Sequence, residues 1–204
     1  MSQVVIGIES TAHTAGVGII TSEGEILSNQ RAVYIPEEGG IHPREAANHH
    51  TESLPELFRK ALKEAKLEPN DISLVSYARG PGLGPCLRTG ATAARAFAYS
   101  HGIPLLGVNH CVAHLEVGKL LTKAKDPVLL YASGANTQII AYESGKYRIF
   151  GETLDQGIGN FIDAFARYLG LGFPGGPKIE GIALKGKDYI QLPYVVKGMD
   201  VSFS

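Results

Sequence analysis

The sequence predicts an α/β fold made of two copies of one βββαβαβα unit, the first over residues 1–124 and the second, incomplete, over residues 125–204. Three observations carry that expectation. In each half, short β-branched runs broken by turn residues come first and helically spaced apolar residues follow. A serine and a threonine four residues apart, Ser10 with Thr14 and Ser133 with Thr137, stand in the first hairpin of each half. Glycine is in excess: 25 of 204 residues, about 12% against a usual ~7%, which suits tight loops that bring bare backbone close to a ligand.

The first half opens with strands at Val4–Ile8, Val17–Ile20 and Ile26–Ile35, separated by Ser10–Thr14 and Ser22-Glu23-Gly24. After the loop Pro36–Pro43, the set Ala46, His50, Leu54, Leu57, Phe58, Ala61, Leu62 and Ala65 keeps a 3.6-residue period, and Pro55 inside it predicts a kink or a split. A strand at Ile72–Ala78, the loop Arg79–Pro85, an alanine-rich helix to about Ser100, a strand at Pro104–Val108 and a helix capped by Asn109 complete the half.

From Pro127 the pattern restarts, with strands at Val128–Ala132, Gln138–Tyr142 and Tyr147–Thr153, a helix over Ile158–Leu169, the loop Gly170–Pro177 and a short helical stretch at Lys178–Leu184. Hydroxyl-bearing hairpins in two related halves are what the ribonuclease H-like class, shared by actin, Hsp70 and sugar kinases, places on either side of a phosphate chain. Turn preference of Ser and Thr is the alternative source of the spacing. The second half stops short of its closing strands, which predicts an open sheet edge, an exposed apolar face and a natural chain that continues beyond Ser204.

Charge nearly cancels, 19 Lys and Arg against 20 Asp and Glu, so no global electrostatic footprint for nucleic acid or anionic membrane exists. Locally, residues 1–50 carry 2 basic and 6 acidic side chains, and residues 51–150 carry 12 and 8. That imbalance could favour an RNA surface on the later part, although solvated helix faces produce the same difference. Two cysteines, Cys86 and Cys111, give no disulfide framework, and the chain has neither a secretory leader nor an apolar run of about 18 residues, so it reads as soluble and cytoplasmic.

His110 and His114 lie at i and i+4 on one helix, a spacing that lets two imidazoles reach one ion or simply leaves two surface histidines. Cys111 stands where a zincin protease needs glutamate, and Glu116 is the nearest carboxylate, on another face. The stretch Ser133–Thr137 could form an anion nest or a tight β-turn. The loop Gly170–Pro177 holds more glycine than a helix linker needs, and Asp163 and Glu180 bracket it as acceptors for ribose hydroxyls or as solvated carboxylates.

The runs Gly7-Ile-Glu-Ser-Thr-Ala-His13, Ile41-His-Pro-Arg-Glu-Ala-Ala-Asn-His-His50, Arg79–Gly84, Val108-Asn-His-Cys-Val-Ala-His114, Tyr131-Ala-Ser-Gly-Ala-Asn-Thr137 and Gly170–Pro177 together resemble the archaeal and eukaryotic-type branch of the tRNA threonylcarbamoyladenosine transferase family, formerly described as O-sialoglycoprotein endopeptidase. The resemblance covers essentially the whole chain and implies that about the last third of a family member is absent. It implies one divalent transition metal per subunit, held by His110, His114 and Tyr131 with an aspartate from the absent part; nitrogen mixed with hard oxygen suits iron at least as well as zinc. The nucleotide part of the substrate would rest on Tyr131, Ala132, Ser133, Gly134, Ala135, Asp163, Gly176 and Glu180. His42, Glu45, His49 and His50 would line the site or merely build the helix start. Gln156 departs from the family pattern, which has an apolar residue there, and Glu9 replaces the aspartate that phosphotransferases of the class carry.

The implied reaction is transfer of threonylcarbamoyl from threonylcarbamoyl-AMP to N6 of the adenosine beside the anticodon, position 37, in tRNAs that read codons beginning with adenine. The implied partners are tRNA and the KEOPS subunits, among them a small protein kinase and a small dimerising subunit, and no membrane. An ATPase or phosphotransferase of the same fold, which would want aspartate in place of Glu9, and a binding fragment without catalysis are the competing classes.

Overall fold

Apolar residues alternate through the opening strands, and their inward members build the first sheet. The computed structural model describes residues 2–36 and 40–203. Strands β1 (Val4–Glu9), β2 (Thr14–Thr21), β3 (Ile26–Val33), β4 (Leu74–Gly80) and β5 (Leu105–Asn109) form one sheet in the order β3-β2-β1-β4-β5. β1 pairs antiparallel with β2, placing Gly7 opposite Gly18, and parallel with β4, placing Gly7 opposite Ser76. The crossovers are the helices α1 (Pro43–Ala65) and α2 (Gly84–His101), and a 3-10 turn at Pro69–Asp71 precedes β4.

Ile6, Ile8, Ala15, Val17 and Ile19 from the strands pack with Leu54, Leu57, Phe58 and Ala61 of α1 and with Ala94 and Ala98 of α2. Phe58 stacks on Phe97 with ring centroids 5.0 Å apart. The helical period predicted for α1 is the buried stripe observed, except that Leu62 and Ala65 are only half-buried. Pro55 does not split the helix, which runs unbroken for 23 residues. Interior proline costs about 3 kcal/mol, and burial of Leu54, Leu57 and Phe58 on both sides of it offsets that cost. α2 ends where Gly102 turns left-handed at φ 64°, letting Ile103 N–H reach back to Ala98 O at 2.9 Å.

Helix α3 (His110–Thr122) opens as the sequence predicts, with Asn109 Oδ1 accepting the N–H groups of Cys111 at 2.9 Å and Val112 at 3.2 Å. The chain divides into two units, one formed by residues up to Pro36 and by Ile41–Ala113, the other carried from His114 onward.

In the second unit β6 (Leu129–Ala132), β7 (Thr137–Glu143) and β8 (Lys146–Glu152) make an antiparallel sheet in the order β6-β7-β8, followed by α4 (Ile158–Tyr168) and α5 (Gly175–Ala183). Apolar surface is left open, as expected: Val128 and Leu130 on one side of the sheet and Ile149 on the other are more than half exposed. The tail is more ordered than its sequence suggests. β9 (Val196–Lys197) and β10 (Asp200–Val201) pair as a small hairpin that lies against the end of β8, where Leu154 N–H donates to Val201 O at 2.8 Å and Glu152 N–H to Asp200 Oδ1 at 2.9 Å.

Candidate metal and nucleotide site

The residues that the sequence assigns to a nucleotide all fall in the second unit, on β6 and the turn after it and on α4 and α5. Ser133 closes that turn from both sides: its N–H and its hydroxyl donate to Asn136 O at 2.9 and 3.0 Å, and Asn136 N–H donates to Ser133 Oγ at 3.2 Å. The turn is then seated on the start of α4. Thr137 Oγ1, Ser133 O and Gly134 O accept the N–H groups of Ile158, Gly159 and Asn160 at 2.8, 3.0 and 3.2 Å. The first amides of α4 are therefore consumed by the hairpin, while those of Gly134 and Ala135 stand outside these bonds and can meet an anion.

This seating requires two glycines that the sequence reading did not single out. A Cβ on Gly157 would lie 2.4 Å from Gly134 O, and one on Gly159 would lie 2.8 Å from Ser133 O. No local signal marks them, because the contact is made with a turn more than twenty residues earlier.

Gly175 and Gly176 are neighbours with opposite surroundings. Gly175 opens α5, donates its N–H to Asp163 Oδ1 at 2.7 Å, and leaves no room for a Cβ, which would lie 2.7 Å from that of Ala166. Asp163 thus spends one oxygen on joining α4 to α5. Gly176 faces open space, with nothing within 4 Å of where a Cβ would stand. Gly170 and Gly172 both take left-handed backbone, and Lys178 Nζ ties their loop by donating to Leu171 O at 2.6 Å. Glu180 lies exposed on α5 and Ala132 is exposed on β6.

The metal-ligand candidates lie on α3 and β6. His110 and His114 are one helical turn apart on α3. Tyr131, 8% exposed on β6, sits against His114 with ring centroids 5.4 Å apart. Among the described residues, no group of three or more His, Cys, Asp and Glu is arranged to hold a metal. By donor type alone, imidazole nitrogen and phenolic oxygen are ligands that a borderline transition metal accepts. His110 has a carboxylate beside it, with Nε2 3.6 Å from Glu9 Oε2.

The histidines of α1 separate into two kinds. His42 and Glu45 are exposed and 3.9 Å apart, and Glu45 accepts a hydrogen bond from the Tyr34 hydroxyl. His50 is completely buried and holds the Ala12 carbonyl at 2.8 Å through Nε2, while its Nδ1 faces Nδ1 of His49 at 3.4 Å. Burial pushes the His50 imidazole below its ordinary pKa. Both cysteines are buried, and burial pushes the Cys86 thiol up, away from the thiolate form.

Residues 24–204 match the family described as TsaD, tRNA N6-adenosine threonylcarbamoyltransferase. A tRNA N6-adenosine threonylcarbamoyltransferase of Thermococcus kodakarensis is 59% identical over 201 residues, which are 98% of this chain and 61% of that protein. A probable bifunctional tRNA threonylcarbamoyladenosine biosynthesis protein of Methanothermobacter thermautotrophicus is 58% identical over 199 residues, 98% of this chain and 37% of that one. The chain thus spans between 37% and 61% of the length of these two relatives. Among solved structures, the ethanolamine utilization protein EutJ from Carboxydothermus hydrogenoformans aligns with a TM-score of 0.55 at 18% identity, covering 87% of this chain and 61% of its own. YeaZ from Pseudomonas aeruginosa aligns with a TM-score of 0.51 at 16% identity, covering 72% and 63%. These likenesses show the ribonuclease H-like α/β fold that the element order predicts. With the family matched over most of its length and its close relatives sharing well over half their aligned residues with it, the chain belongs to the tRNA N6-adenosine threonylcarbamoyltransferase family.

Proposed function

We propose that the protein acts in transfer of the threonylcarbamoyl group from threonylcarbamoyl-AMP to N6 of adenosine 37 of tRNA, with release of AMP. The reading is supported above all by the 59% identity, over 201 residues, with the Thermococcus kodakarensis relative. The two lobes are residues 1–124 and 125–204. AMP lies with its phosphate on the Gly134 and Ala135 amides, its ribose toward the second oxygen of Asp163 and toward Glu180, and its base over the open backbone at Gly176. Tyr131, Ala132 and Ser133 complete the bed.

A mixed carbamoyl–phosphate anhydride is already activated, so the tRNA amine attacks the carbonyl directly, the carbonyl–oxygen bond to the phosphate breaks with its electron pair leaving on AMP, and the amine gives up one proton to water. No covalent nucleophile is needed, in keeping with the burial of Cys86 and Cys111. The work left to the chain is to hold donor and amine together and to receive charge on the departing phosphate. His110, His114 and Tyr131 would hold a divalent transition metal, iron in preference to zinc, whose chemistry there is Lewis-acid polarisation of the donor's oxygens. A phosphotransferase reading is not favoured, since Glu9 stands in place of the aspartate such enzymes use. The protein works in the cytoplasm within KEOPS, beside a small kinase and a small dimerising subunit; among the described residues no helix is long and apolar enough to cross a membrane.

Two measurements test this. Metal content should be lost in the His110→Ala/His114→Ala double variant, and full stoichiometry there would remove the ligand assignment. In single-turnover transfer from purified threonylcarbamoyl-AMP to tRNA, Cys111→Ser should retain activity and His114→Ala should lose most of it. A trapped threonylcarbamoyl-cysteine, or a fully active His114→Ala, would refute direct transfer; absence of any transfer with nucleotide binding intact would favour the binding-fragment reading.

A further inference from the structure

Glu9 ends β1 where the strand gives way to the Ser10–His13 loop, and its two carboxylate oxygens are committed differently. Oε1 accepts both the Thr11 backbone N–H, at 2.6 Å, and the Thr11 hydroxyl. Oε2 lies 3.6 Å from Nε2 of His110 at the start of α3. Thr11 is itself fixed in place: it is 4% exposed, and its carbonyl accepts Leu83 N–H at 2.7 Å. Gly82 approaches so closely that a Cβ there would lie 2.6 Å from that carbonyl oxygen. On the other side, the Asn109 cap fixes the first turn of α3 and with it the backbone of His110.

A carboxylate gripped on one oxygen by two donors of a buried residue loses most of its rotational freedom. Its second oxygen is thereby aimed at the imidazole, although 39% of the side chain is exposed. At 3.6 Å the pair is longer than a direct hydrogen bond, yet close enough for the negative charge to act on whatever positive charge gathers at Nε2. We propose that Glu9, held by Thr11, is a positioning residue for cation binding at His110: it keeps the imidazole oriented and raises the affinity of that side chain for a divalent metal. The inference rests on the reading of His110 as a metal ligand. It also gives the glutamate that replaces the phosphotransferase aspartate a task suited to a longer side chain, since that reach lets it touch Thr11 and His110 together.

The experiment titrates Zn2+ alone into the protein in competition with a chromophoric chelator and checks the fold of each variant by thermal melting. Glu9→Gln, which keeps the shape and removes the charge, is expected to weaken Zn2+ binding by about 10–100-fold, the range for partners that orient a ligating histidine. Thr11→Val should weaken it by a smaller factor, and Thr11→Ser, which keeps the hydroxyl donor, should restore wild-type affinity. Wild-type affinity in Glu9→Gln, together with a clear loss in His110→Ala, overturns the role of Glu9 and leaves His110 a ligand. Unchanged affinity in His110→Ala overturns the ligand reading beneath it. Should Glu9→Gln not fold, Glu9→Asp decides: it withdraws the charge by one methylene, so weakened binding supports the role and unchanged binding overturns it.

Discussion

The hairpins Ser10–Thr14 and Ser133–Thr137 carry the same residue types at the same spacing, yet they are secured by different means. In the first unit the loop is sunk into a finished structure. Ser10 and Thr11 are 1% and 4% exposed, and Gly90 of α2 sits so close to Ser10 that a Cβ there would lie 1.9 Å from the hydroxyl oxygen. His50 plugs the loop from α1 beneath it. In the second unit the sheet has three strands and an open apolar face, and the loop is held by hydrogen bonds from the first turn of α4. Equal motifs therefore give unequal foundations: a core fixes one loop, and backbone contacts fix the other.

The largest expected effect tests the foundations directly. Leu54→Ala empties a side chain that is 2% exposed in the first unit and should lower stability by about 3 kcal/mol, within the range for buried leucine. Leu130→Ala in the second unit removes a side chain that is 63% exposed and should cost under about 0.5 kcal/mol. Chemical denaturation of both variants measures the contrast, and equal losses would mean that the open face is covered in solution.

A second pair of variants asks whether the backbone seat in the second unit matters as much as the packed seat in the first. Gly90→Ala forces a methyl group onto Ser10, and Gly157→Ala forces one onto Gly134 O at 2.4 Å. Each should cost about 1–3 kcal/mol by overpacking. Only Gly157→Ala should also weaken adenylate binding, because it displaces the Gly134 and Ala135 amides. Adenylate affinity that falls equally in both variants would break the division of labour between the two loops.

These glycines mark the limit of what the sequence reveals. Strand and helix order was legible because β-branched runs, the α1 apolar stripe and the Asn109 cap act locally, within a few residues. Gly82, Gly90, Gly157 and Gly159 were not legible, because each serves a contact with a segment distant in sequence. That Pro55 would not split α1 was not legible for the same reason, since its effect was set by the core around it. The tail hairpin depends on the edge of β8 for its partners and carries no strong pattern of its own. Around the proposed site, the Ser133–Thr137 turn and the Gly170–Pro177 loop stood out as small-residue and glycine-rich stretches, whereas the double grip of Thr11 on Glu9 is visible only in three dimensions.

The adjacent glycines of α5 sharpen the comparison at the ligand. Gly176→Val places its branched side chain in open space, so it should leave stability unchanged while blocking the approach of the base. Adenylate binding should fall by tenfold or more, about 1.4 kcal/mol. Calorimetric titration with AMP reads this outcome, and undiminished binding would move the base elsewhere. Gly175→Ala is the counterpart, expected to destabilise because of Ala166.

The smallest effect is a pH dependence confined to the first hairpin. His50 is buried, and burial holds its pKa below the ordinary value near 6.5; the neighbouring His49 and His13 push in the same direction, while the Ala12 carbonyl and Glu9 oppose them. Because a carbonyl can only accept, His50 must donate from Nε2, and the neutral ring then presents a bare Nδ1 to His49. Below about pH 6.5 the unfolded chain takes up a proton at this position that the native state refuses, so more protons are bound unfolded than folded. Stability contributed by the neutral ring is therefore full above that pH and declines as pH falls toward the native value. One proton sets a ceiling of about 1.4 kcal/mol per pH unit on the slope. Denaturation near pH 7 and near pH 5.5 should show the decline in the wild type and a flatter profile in His50→Gln. Amide exchange, corrected for its intrinsic pH dependence, should locate the loosening at Thr11 and His13, whose loop His50 supports. Exchange that quickened equally at Ser133–Thr137 would show that protonation acts on both hairpins alike, and the separation between a core-held loop and a backbone-held loop would fall.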